Sequence, residues 1–587
     1  MKTLIAAPKL SLCVFGIQQP EPATGVIPLR RSLNAVQPSK SRNQVHSRVK
    51  TRFMCTATTI VLALAIAACG DGEKSAEAEV SSAVAMESAP VQLPSQPLAT
   101  GASPVNQPAH SPSTVLALAA APTVAATPSP ALPSTPSPDT PIPLASFDKV
   151  AQITIGESPR QRFIAFGTSQ SGRVNDGYRI NYLMGFDPVR RDQMLDMVYR
   201  DLGVDVLRLW LPYSETASLE ALKTNFYAGY LDNGMLAAIQ SRGPKTLLLA
   251  PARGETAPSE TMQSYATRVA QFISDVFAER GVKIAVTGIA NEPAGFTPQQ
   301  LADAARLLRS ELDSRGLQDV GIVGPEWASA DSHLLRALDA MKADAQAWAA
   351  LRGIASHSYN MGATKAVVSR IADTDKEYWQ TEAGKQTLVR GTDEQPGNDS
   401  EAATVAARFL SDMNHLVTHW FWFIGVNVYD PHPFGDAGQE LVRPDNSTGL
   451  LKVSTKYHYL KQLVGQTFDR GAVFRSATSL SEGDMVWTYG QKPSITAAVA
   501  QNPDGTWAIG IANTTGVESN SSLSRYYAPA TYKVVIKLPE RTNGTFTVLR
   551  SSATRSLARE PNLVAQDGEL TAIVGARELV TLRATSP

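Results

Sequence analysis

Residues 246–323 decide the fold because they alternate between two kinds of apolar pattern. In chain order they contain TLLLA at 246–250, MQSYATRVAQFISDVFAE at 262–279, IAVTGI at 284–289, PQQLADAARLLRSELDSR at 298–315 and VGIV at 320–323. The three short apolar runs predict strands, and the two longer stretches space their apolar residues as amphipathic helices do. Such alternation is typical of parallel strands joined by crossover helices.

The same alternation extends in both directions from this stretch. Eight apolar runs are candidate strands: Phe163–Phe166, Val204–Leu211, Thr246–Ala250, Ile284–Ile289, Val320–Val323, Gly353–His357, Glu377–Thr381 and Trp420–Val428. Eight strands over roughly 250 residues predict an α/β fold of the (β/α)8 TIM-barrel type. A doubly wound sheet is the alternative, but its Gly-rich first turn is absent from the sequence. We assign residues 147–465 to the barrel.

After Leu463 the pattern changes to short alternating runs separated by turn residues such as Asn502-Pro503-Asp504-Gly505. The candidate strands there are Ile495–Ala500, Trp507–Ala512, Tyr532–Leu538, Thr545–Leu549 and Leu579–Leu582. This spacing predicts an antiparallel β-sandwich over residues 466–587. The run Ala151–Ile155, just before the barrel, is expected to add one more strand to it.

Composition excludes several classes of protein. The net charge is zero and no basic block is present, so nucleic acid is not an expected partner. The three cysteines, Cys13, Cys55 and Cys69, all lie within the first 69 of the 587 residues. The rest of the chain therefore works without a disulfide or a thiolate metal site. We expect a monomer.

The N-terminal region has the features of a signal peptide. Lys50 and Arg52 precede the apolar run Ile60–Ala68, which is too short to cross a bilayer and ends in small residues before Cys69. The residues ending at Cys69 resemble a bacterial lipobox, which implies lipidation of Cys69 and a protein anchored in the bacterial cell envelope. A plain secretory signal peptide is the alternative.

Two expectations follow for the segments beside this signal. We assign the signal region to residues 1–69. Because charged residues open a signal peptide, we expect translation to start at Val49, so that residues 1–48 are not translated. Residues 70–146 are mostly Ala, Pro, Ser and Thr, and the first aromatic residue after Gly70 is Phe147. Such a segment buries too little apolar surface to fold, so a disordered linker is predicted.

Two glutamates follow predicted strands. Glu292 comes after VTGIAN at 286–291, and Glu382 comes after YWQT at 378–381, at the ends of strands 4 and 7. The carboxyl ends of barrel strands meet on one face, so both carboxylates should share one cleft. Glycoside hydrolysis requires such a pair, one protonated and one ionised. A single Glu after a strand is usually a loop residue or a helix cap, but the joint pattern favours catalysis.

Several segments resemble a known family. They are Phe163–Ser169 (FIAFGTS), Leu207-Arg208-Leu209, His357-Ser358-Tyr359, and the stretch from Lys456 to Ala472. With the two glutamates, they resemble glycoside hydrolase family 30, within the clan of retaining barrel glycosidases that carry Asn-Glu on strand 4 and Glu on strand 7. The likeness covers 150–587. Ala165 and the segment Ala250–Gly254 depart from the family pattern.

The resemblance implies a reaction and a role for each residue. Glu382 would be the nucleophile of a double displacement with net retention, and Glu292 the acid/base. Arg208 would keep Glu382 ionised, and Asn291 would hold the sugar 2-hydroxyl. The remaining candidates are substrate-binding residues that would line the sugar subsite or stack on the sugar: His357, Tyr359, Trp327 and Trp422.

These expectations have rivals. A glycan-binding lipoprotein on the same fold, without chemistry, and an endoglucanase-like enzyme of another family in the clan are the alternatives. His415 and His419 are spaced like helical metal ligands, but no third ligand accompanies them, so no metal is predicted. No cofactor is expected. The expected partner is a polysaccharide or oligosaccharide substrate with β-glycosidic bonds.

Overall fold

The computed structural model describes residues 146–586 apart from 171–182, 253–255, 385–399, 429–438, 446–447, 482, 489–492, 518–527 and 540–541. All of the described residues belong to one compact unit, Ala131–Pro587. The predicted signal region, Cys69 and the linker up to residue 145 therefore lie outside the described residues. Within the described ranges, no helix combines the length and the apolar character that a bilayer crossing needs.

Eight parallel strands close into a barrel. The first strand of the chain, β1 (Lys149–Arg162), belongs to another sheet. The barrel strands are β2 (Ala165–Gln170), β3 (Val206–Leu211), β4 (Thr246–Pro251), β5 (Val286–Gly288), β6 (Gly321–Trp327), β7 (Gly353–His357), β8 (Glu377–Ala383) and β9 (His419–Trp422). The predicted (β/α)8 barrel is confirmed, and each of the eight predicted runs overlaps one of these strands.

Helices follow the strands and cover the outside of the barrel. They are α1 (Pro188–Leu195), α2 (Leu219–Phe226), α3 (Met235–Gln240), α4 (Met262–Arg280), α5 (Pro298–Ser314), α6 (Ser332–Ala343), α7 (Ala345–Ala350), α8 (Lys365–Ile371), α9 (Ser400–Met413) and α10 (Thr455–Gln462). The start of α5 is fixed by its sequence. Thr297 and Gln300 form a reciprocal capping box, and Pro298 occupies the first turn, where its missing N–H is not needed.

Shorter helical turns extend some of these elements. A 3-10 turn spans Leu183–Gly185, and π-helical turns span Asp196–Asp201, Tyr227–Leu231 and Leu463–Thr467. The three π-helical turns continue α1, α2 and α10 directly, so each of those helices ends in a wider coil.

One layer of side chains fills the barrel interior below its C-terminal end. Each of the eight strands contributes one buried residue to it: Ala165, Val206, Leu248, Val286, Val323, Ala355, Trp379 and Phe421. The layer combines two large rings with small alanines, as close packing of a closed barrel requires. The same packing requires a glycine at position 167, because a Cβ on Gly167 would overlap the Phe421 ring. On most strands the residue two positions further along points into the cleft above this layer, as Arg208 on β3 and His357 on β7 do. β6 and β8 are irregular at this level.

The remaining strands form a second, mostly antiparallel body. Its strands are β1 with β12 (Val473–Ser479), β13 (Ile495–Gln501), β14 (Trp507–Asn513), β15 (Tyr532–Lys537), β16 (Gly544–Ser551), β17 (Ala558–Ala565), β18 (Glu569–Val574) and β19 (Leu579–Ala584). Their order is β17-β16-β19-β14-β13-β12-β1-β15-β18. The predicted C-terminal sandwich is confirmed. A separate pair, β10 (Val442–Pro444) with β11 (Leu451–Val453), lies outside it.

The predicted contribution of the segment before the barrel is also confirmed. β1 pairs antiparallel with β12 and parallel with β15, and it runs to Arg162, beyond the predicted Ala151–Ile155. Strands β12, β17 and β18 were not predicted. In β17 most residues are partly or fully exposed, so the alternation that marks a half-buried strand is weak there.

Helices α9 and α10 join the barrel to the sandwich. The Gln462 side chain donates to the carbonyl of Leu549 at 2.9 Å and accepts from Ser551 at 2.5 Å. Beyond the end of α9, Asn414 donates to the carbonyl of Ala497 at 2.6 Å. Gly510 on β14 lets Leu410 approach closely. The barrel therefore contacts the sandwich through α9 and α10.

Candidate active site

Polar side chains from five barrel strands meet at the C-terminal end of the barrel. The residues are Arg208 on β3, Asn291 and Glu292 after β5, Glu326 on β6, His357 and Tyr359 at and after the end of β7, and Glu382 on β8. Six of the eight candidate catalytic and substrate-binding residues lie in this cluster, and Glu326 joins them. The cluster occupies the face on which barrel enzymes carry their active sites.

Arg208 is the centre of the cluster. It is fully buried, and its Nη1 donates to Glu382 at 2.6 Å while Nη2 donates to Asn291 at 2.8 Å. The Trp210 ring lies 4.6 Å from the guanidinium carbon. Burial alone would lower the pKa of Arg208, but the Glu326 and Glu382 carboxylates outweigh it and raise the pKa. Arg208 is therefore a permanent cation here.

Glu382 is held from several sides. Its Oε2 accepts from Arg208, and its Oε1 accepts from the Tyr359 hydroxyl at 2.6 Å. The side chain is only 4% exposed. Its backbone carbonyl accepts from the Ser358 N–H at 3.1 Å, which ties β8 to the segment after β7. Both carboxylate oxygens therefore have fixed partners.

Glu292 stands in a more open position. Its side chain is 29% exposed, and its Oε1 lies 3.0 Å from Nδ1 of His357. The residue has a φ of 47°, in the left-handed region, and its N–H donates to the Glu326 carbonyl at 3.1 Å. The neighbouring Asn291 N–H donates to the Pro251 carbonyl at 2.8 Å. Backbone bonds to two neighbouring strands thus aim both residues into the cleft.

The two carboxylates are close together. One oxygen of Glu292, one oxygen of Glu382 and one nitrogen of His357 lie within 4.8 Å of one another. Among the described residues this is the one group of three acidic or imidazole side chains that could hold a metal ion. The Arg208 guanidinium already forms an ion pair with the Glu382 carboxylate, and its positive charge opposes the binding of a second cation. The arrangement fits proton transfer and nucleophilic attack better than metal binding.

Trp327 and Trp422 lie elsewhere. Both pack into the apolar core between the barrel and its helices. Trp327 stacks on His333 of α6 with ring centroids 5.5 Å apart, and Trp422 is fully buried with its Nε1 donating to the Gln439 carbonyl. Their role as sugar platforms stays a prediction, and Trp422 would have to leave its buried position to fill it.

Three residues near the cluster were missed by the sequence analysis. Glu326 is buried beside Arg208. The sequence could have indicated it, because it is a charged residue near the end of an apolar strand. Trp210 and Phe423 pack together at the barrel mouth, with ring centroids 6.2 Å apart, in a small apolar cluster with Ala250. Trp210 is identifiable only once the face of β3 that carries Arg208 is known.

His415 and His419 have structural environments. Nδ1 of His415 lies 2.6 Å from the Ser411 carbonyl within the same turn of chain. The His419 ring stacks on the Trp379 ring, with ring centroids 3.6 Å apart, next to the layer of side chains that fills the barrel. Burial, with Arg352 nearby, lowers the pKa of His419 to about 3, so its ring is neutral. The two rings are held by different partners and serve packing.

The fold is that of the glycosidases of family 30. The catalytic domain of GH30 xylanase C from Talaromyces cellulolyticus matches 74% of this chain and 100% of its own, with a TM-score of 0.54 and 16% identity. The family 30 subfamily 8 xylanase Xyn30A from Clostridium acetobutylicum matches 74% of this chain and 99% of its own, with a TM-score of 0.52 and 16% identity.

A third neighbour is SrfJ from Salmonella typhimurium. It matches 76% of this chain and 94% of its own, with a TM-score of 0.53 and 12% identity. No family model matches the sequence. No curated protein matches it either. The short motifs resembled family 30, and the comparison of structures confirms that resemblance for the fold.

Proposed function

We propose that the protein is a retaining glycoside hydrolase that cleaves β-glycosidic bonds in a glycan by double displacement. The observation that carries this proposal is the pair of carboxylates, Glu292 and Glu382, whose nearest oxygens lie within 4.8 Å. Retaining glycosidases hold their carboxyl groups about 5–5.5 Å apart, whereas inverting enzymes need about 6.5–9.5 Å for an intervening water. Two neighbours with this fold are named as xylanases, so xylan is the first glycan to test.

Glu382 acts as the nucleophile. The Arg208 cation at 2.6 Å stabilises its negative charge, and the Tyr359 hydroxyl fixes its other oxygen. A carboxylate held in this way is ionised and loses little orientational freedom on attack. Its attack on the anomeric carbon forms a glycosyl ester and breaks the bond to the leaving oxygen.

Glu292 acts as the acid and then as the base. It donates its proton to the leaving oxygen as that bond breaks, and later takes a proton from the water that hydrolyses the ester. Its partial exposure suits this exchange with solvent, and His357 at 3.0 Å holds the carboxyl in place. Asn291, fixed by Arg208, offers its amide to the sugar 2-hydroxyl.

The test uses the full chain, a panel of β-linked glycans and 4-nitrophenyl β-glycosides. Product release is followed for the wild type and for Glu382→Gln, which keeps the size of the side chain but removes the nucleophilic oxygen anion. Release should fall by at least about 10³-fold, with an unchanged melting temperature. The first-formed product should have the β-configuration by NMR. An α-product, or an active Glu382→Gln variant, would contradict double displacement.

A matched variant separates the two roles. Glu292→Ala should lose activity on substrates with poor leaving groups but should still form the glycosyl ester from activated aryl glycosides. Added azide should then restore turnover, because azide attacks the ester without needing a base, releases Glu382 and gives the β-glycosyl azide. A protein that binds a glycan without cleaving any member of the panel would support the binding-protein alternative instead.

We also propose that the chain is lipid-anchored through Cys69 in a bacterial cell envelope. The support is the sequence alone, in which charges, a short apolar run and small residues precede that cysteine. Cells fed labelled palmitate should label the wild type, and Cys69→Ser should lose the label and become soluble. An unlabelled wild type would leave a plain secretory signal as the explanation.

A further inference from the structure

Glu326 has no part in double displacement, yet it is buried directly beside the paired carboxylates. The residue is fully buried at the end of β6, next to Pro325. Gly288 on β5 leaves the space that its carboxylate fills, because a Cβ at that position would overlap it. A buried charge of this kind is expensive unless it is paired. Its partner is Arg208, the cation that also holds Glu382.

The contact with Arg208 is made on one edge of the guanidinium. Oε1 of Glu326 accepts from Nε at 3.4 Å and from Nη2 at 3.2 Å. This leaves Nη1 for Glu382, while the Trp210 ring covers the guanidinium face. A planar group held on one edge and one face has a single orientation. Together with Asn291 on Nη2, Glu326 therefore helps to fix where Nη1 points.

Glu326 also reaches the other carboxylate through the backbone. Its carbonyl accepts a hydrogen bond from the Glu292 N–H at 3.1 Å. The φ angle is 59° at Glu326 and 47° at Glu292, so both residues are in the left-handed region. Such conformations cost free energy in non-glycine residues and persist only where the surroundings hold them. One residue thus contacts Glu292 by its main chain and, through Arg208, Glu382 by its side chain.

We propose that Glu326 is a positioning residue for the reaction: it orients Arg208 toward the nucleophile and shares the charge of that cation. This inference rests on the proposed glycosidase function. With Glu326 present, one guanidinium serves two carboxylates. Without that charge, Glu382 is the one carboxylate left to balance the Arg208 cation, so it is held more tightly and is a weaker nucleophile. The positively charged sugar of the transition state also loses a nearby negative charge.

Two variants test the orientation and the charge separately. Glu326→Gln keeps the shape and the Oε1 acceptor but removes the charge, whereas Glu326→Asp keeps the charge but withdraws it from Arg208 by one methylene. Both should lower kcat about 10- to 100-fold with little change in KM, because ground-state binding of the sugar is untouched. The probe is the 4-nitrophenyl β-glycoside that the wild type hydrolyses.

The pH profile distinguishes this role from a merely structural one. The acid limb of kcat/KM reports ionisation of the nucleophile in the free enzyme. The charged and titratable groups that face Glu382 are Arg208, His357 and Tyr359, with Glu292 across the cleft. Glu326→Gln should shift the limb to lower pH, and Glu326→Asp should leave it in place.

The outcomes separate the inference from the function on which it rests. Wild-type kcat in either Glu326 variant, or an unmoved acid limb in Glu326→Gln, overturns the positioning role. If Glu326→Gln does not fold, Glu326→Asp still decides, since wild-type kcat in it contradicts the orientation argument. Glu382→Gln is measured beside them. If that variant keeps its activity, the proposed function has failed, whatever the Glu326 variants do.

Discussion

Glu292 and Glu382 carry the same carboxyl group in different surroundings. Glu382 is 4% exposed, and a cation and a hydroxyl hold its two oxygens. Glu292 is 29% exposed and has an imidazole beside it. The first environment favours a fixed anion, and the second leaves the carboxyl accessible from the cleft. At the scale of single residues, these different neighbours support the different roles that we propose for the two glutamates.

Replacement of Arg208 by lysine should abolish most of the activity. A lysine ammonium is a point charge on a flexible stem and cannot hold Glu382, Asn291 and Glu326 in one plane. We expect kcat to fall by about 10²- to 10³-fold. The matched control is Arg352→Lys at the opposite end of the barrel, where the arginine pairs with the Glu377 carboxylate. Steady-state kinetics that show equal losses in both variants would contradict the central role of Arg208.

The strands were the easiest elements to predict from the sequence. All eight barrel strands were predicted because each is a short and almost wholly buried run between turn residues, as in Leu247–Ala250. The meeting of Glu292 with Glu382 followed from the closure rule of the barrel and not from either residue alone.

The faces of some residues could not be predicted. Register shifts occur at Pro325/Trp327 in β6 and at Gln380/Ala383 in β8. A one-residue shift moves a side chain to the other face of a strand. Trp327 consequently lies on the helix side, while Glu326 lies inside with Arg208. The apolar periodicity of the sequence does not indicate where such a bulge occurs.

Asp412 on α9 makes the stability of the helical layer depend on pH. It accepts from the Ala363 N–H at 2.8 Å and the Trp420 Nε1 at 2.9 Å, and burial raises its pKa to about 6. In the unfolded chain the pKa of an aspartate is about 3.9. Because the folded value is higher, the stabilisation is present below about pH 4 and is lost as the pH rises through 6.

The comparison of wild type with Asp412→Asn isolates this effect. Between pH 4.5 and pH 7 the wild type should lose about 2 kcal/mol of unfolding free energy relative to the variant. Urea unfolding at the two pH values measures it. Asp339→Asn is the control, since the hydrogen bond from Arg370 lowers the pKa of Asp339. A wild type that gains stability relative to Asp412→Asn on going to pH 7 would refute the assignment.

At the scale of the whole molecule, the sandwich is built from both ends of the described chain. β1 lies between β12 and β15, and it contributes Ala151, Ile153 and Ile155 to the sandwich core. The barrel is thus inserted in sequence between the first strand of the sandwich and the others. Residues 466–587 alone would leave the edges of β12 and β15 unpaired.

This insertion predicts the behaviour of fragments. Residues 466–587 expressed alone should aggregate or fail to unfold cooperatively, whereas the same fragment joined to residues 146–162 by a flexible linker should fold. Circular dichroism during urea titration compares the two. As a control, the linked fragment with Ile153→Asp should behave like the fragment without β1. Cooperative unfolding of residues 466–587 alone would show that β1 is dispensable.

The position of β1 in the chain also means that this strand is synthesised long before the strands with which it pairs. This strand emerges before the barrel, but its partners are not synthesised until nearly the whole chain has been made. Until then the nascent chain carries an unpaired strand, which is a hazard for association with other chains. Its second half, Glu157-Ser158-Pro159-Arg160-Gln161-Arg162, places charges and a proline along that edge. Charges and a proline along an exposed edge are features that oppose pairing with another molecule.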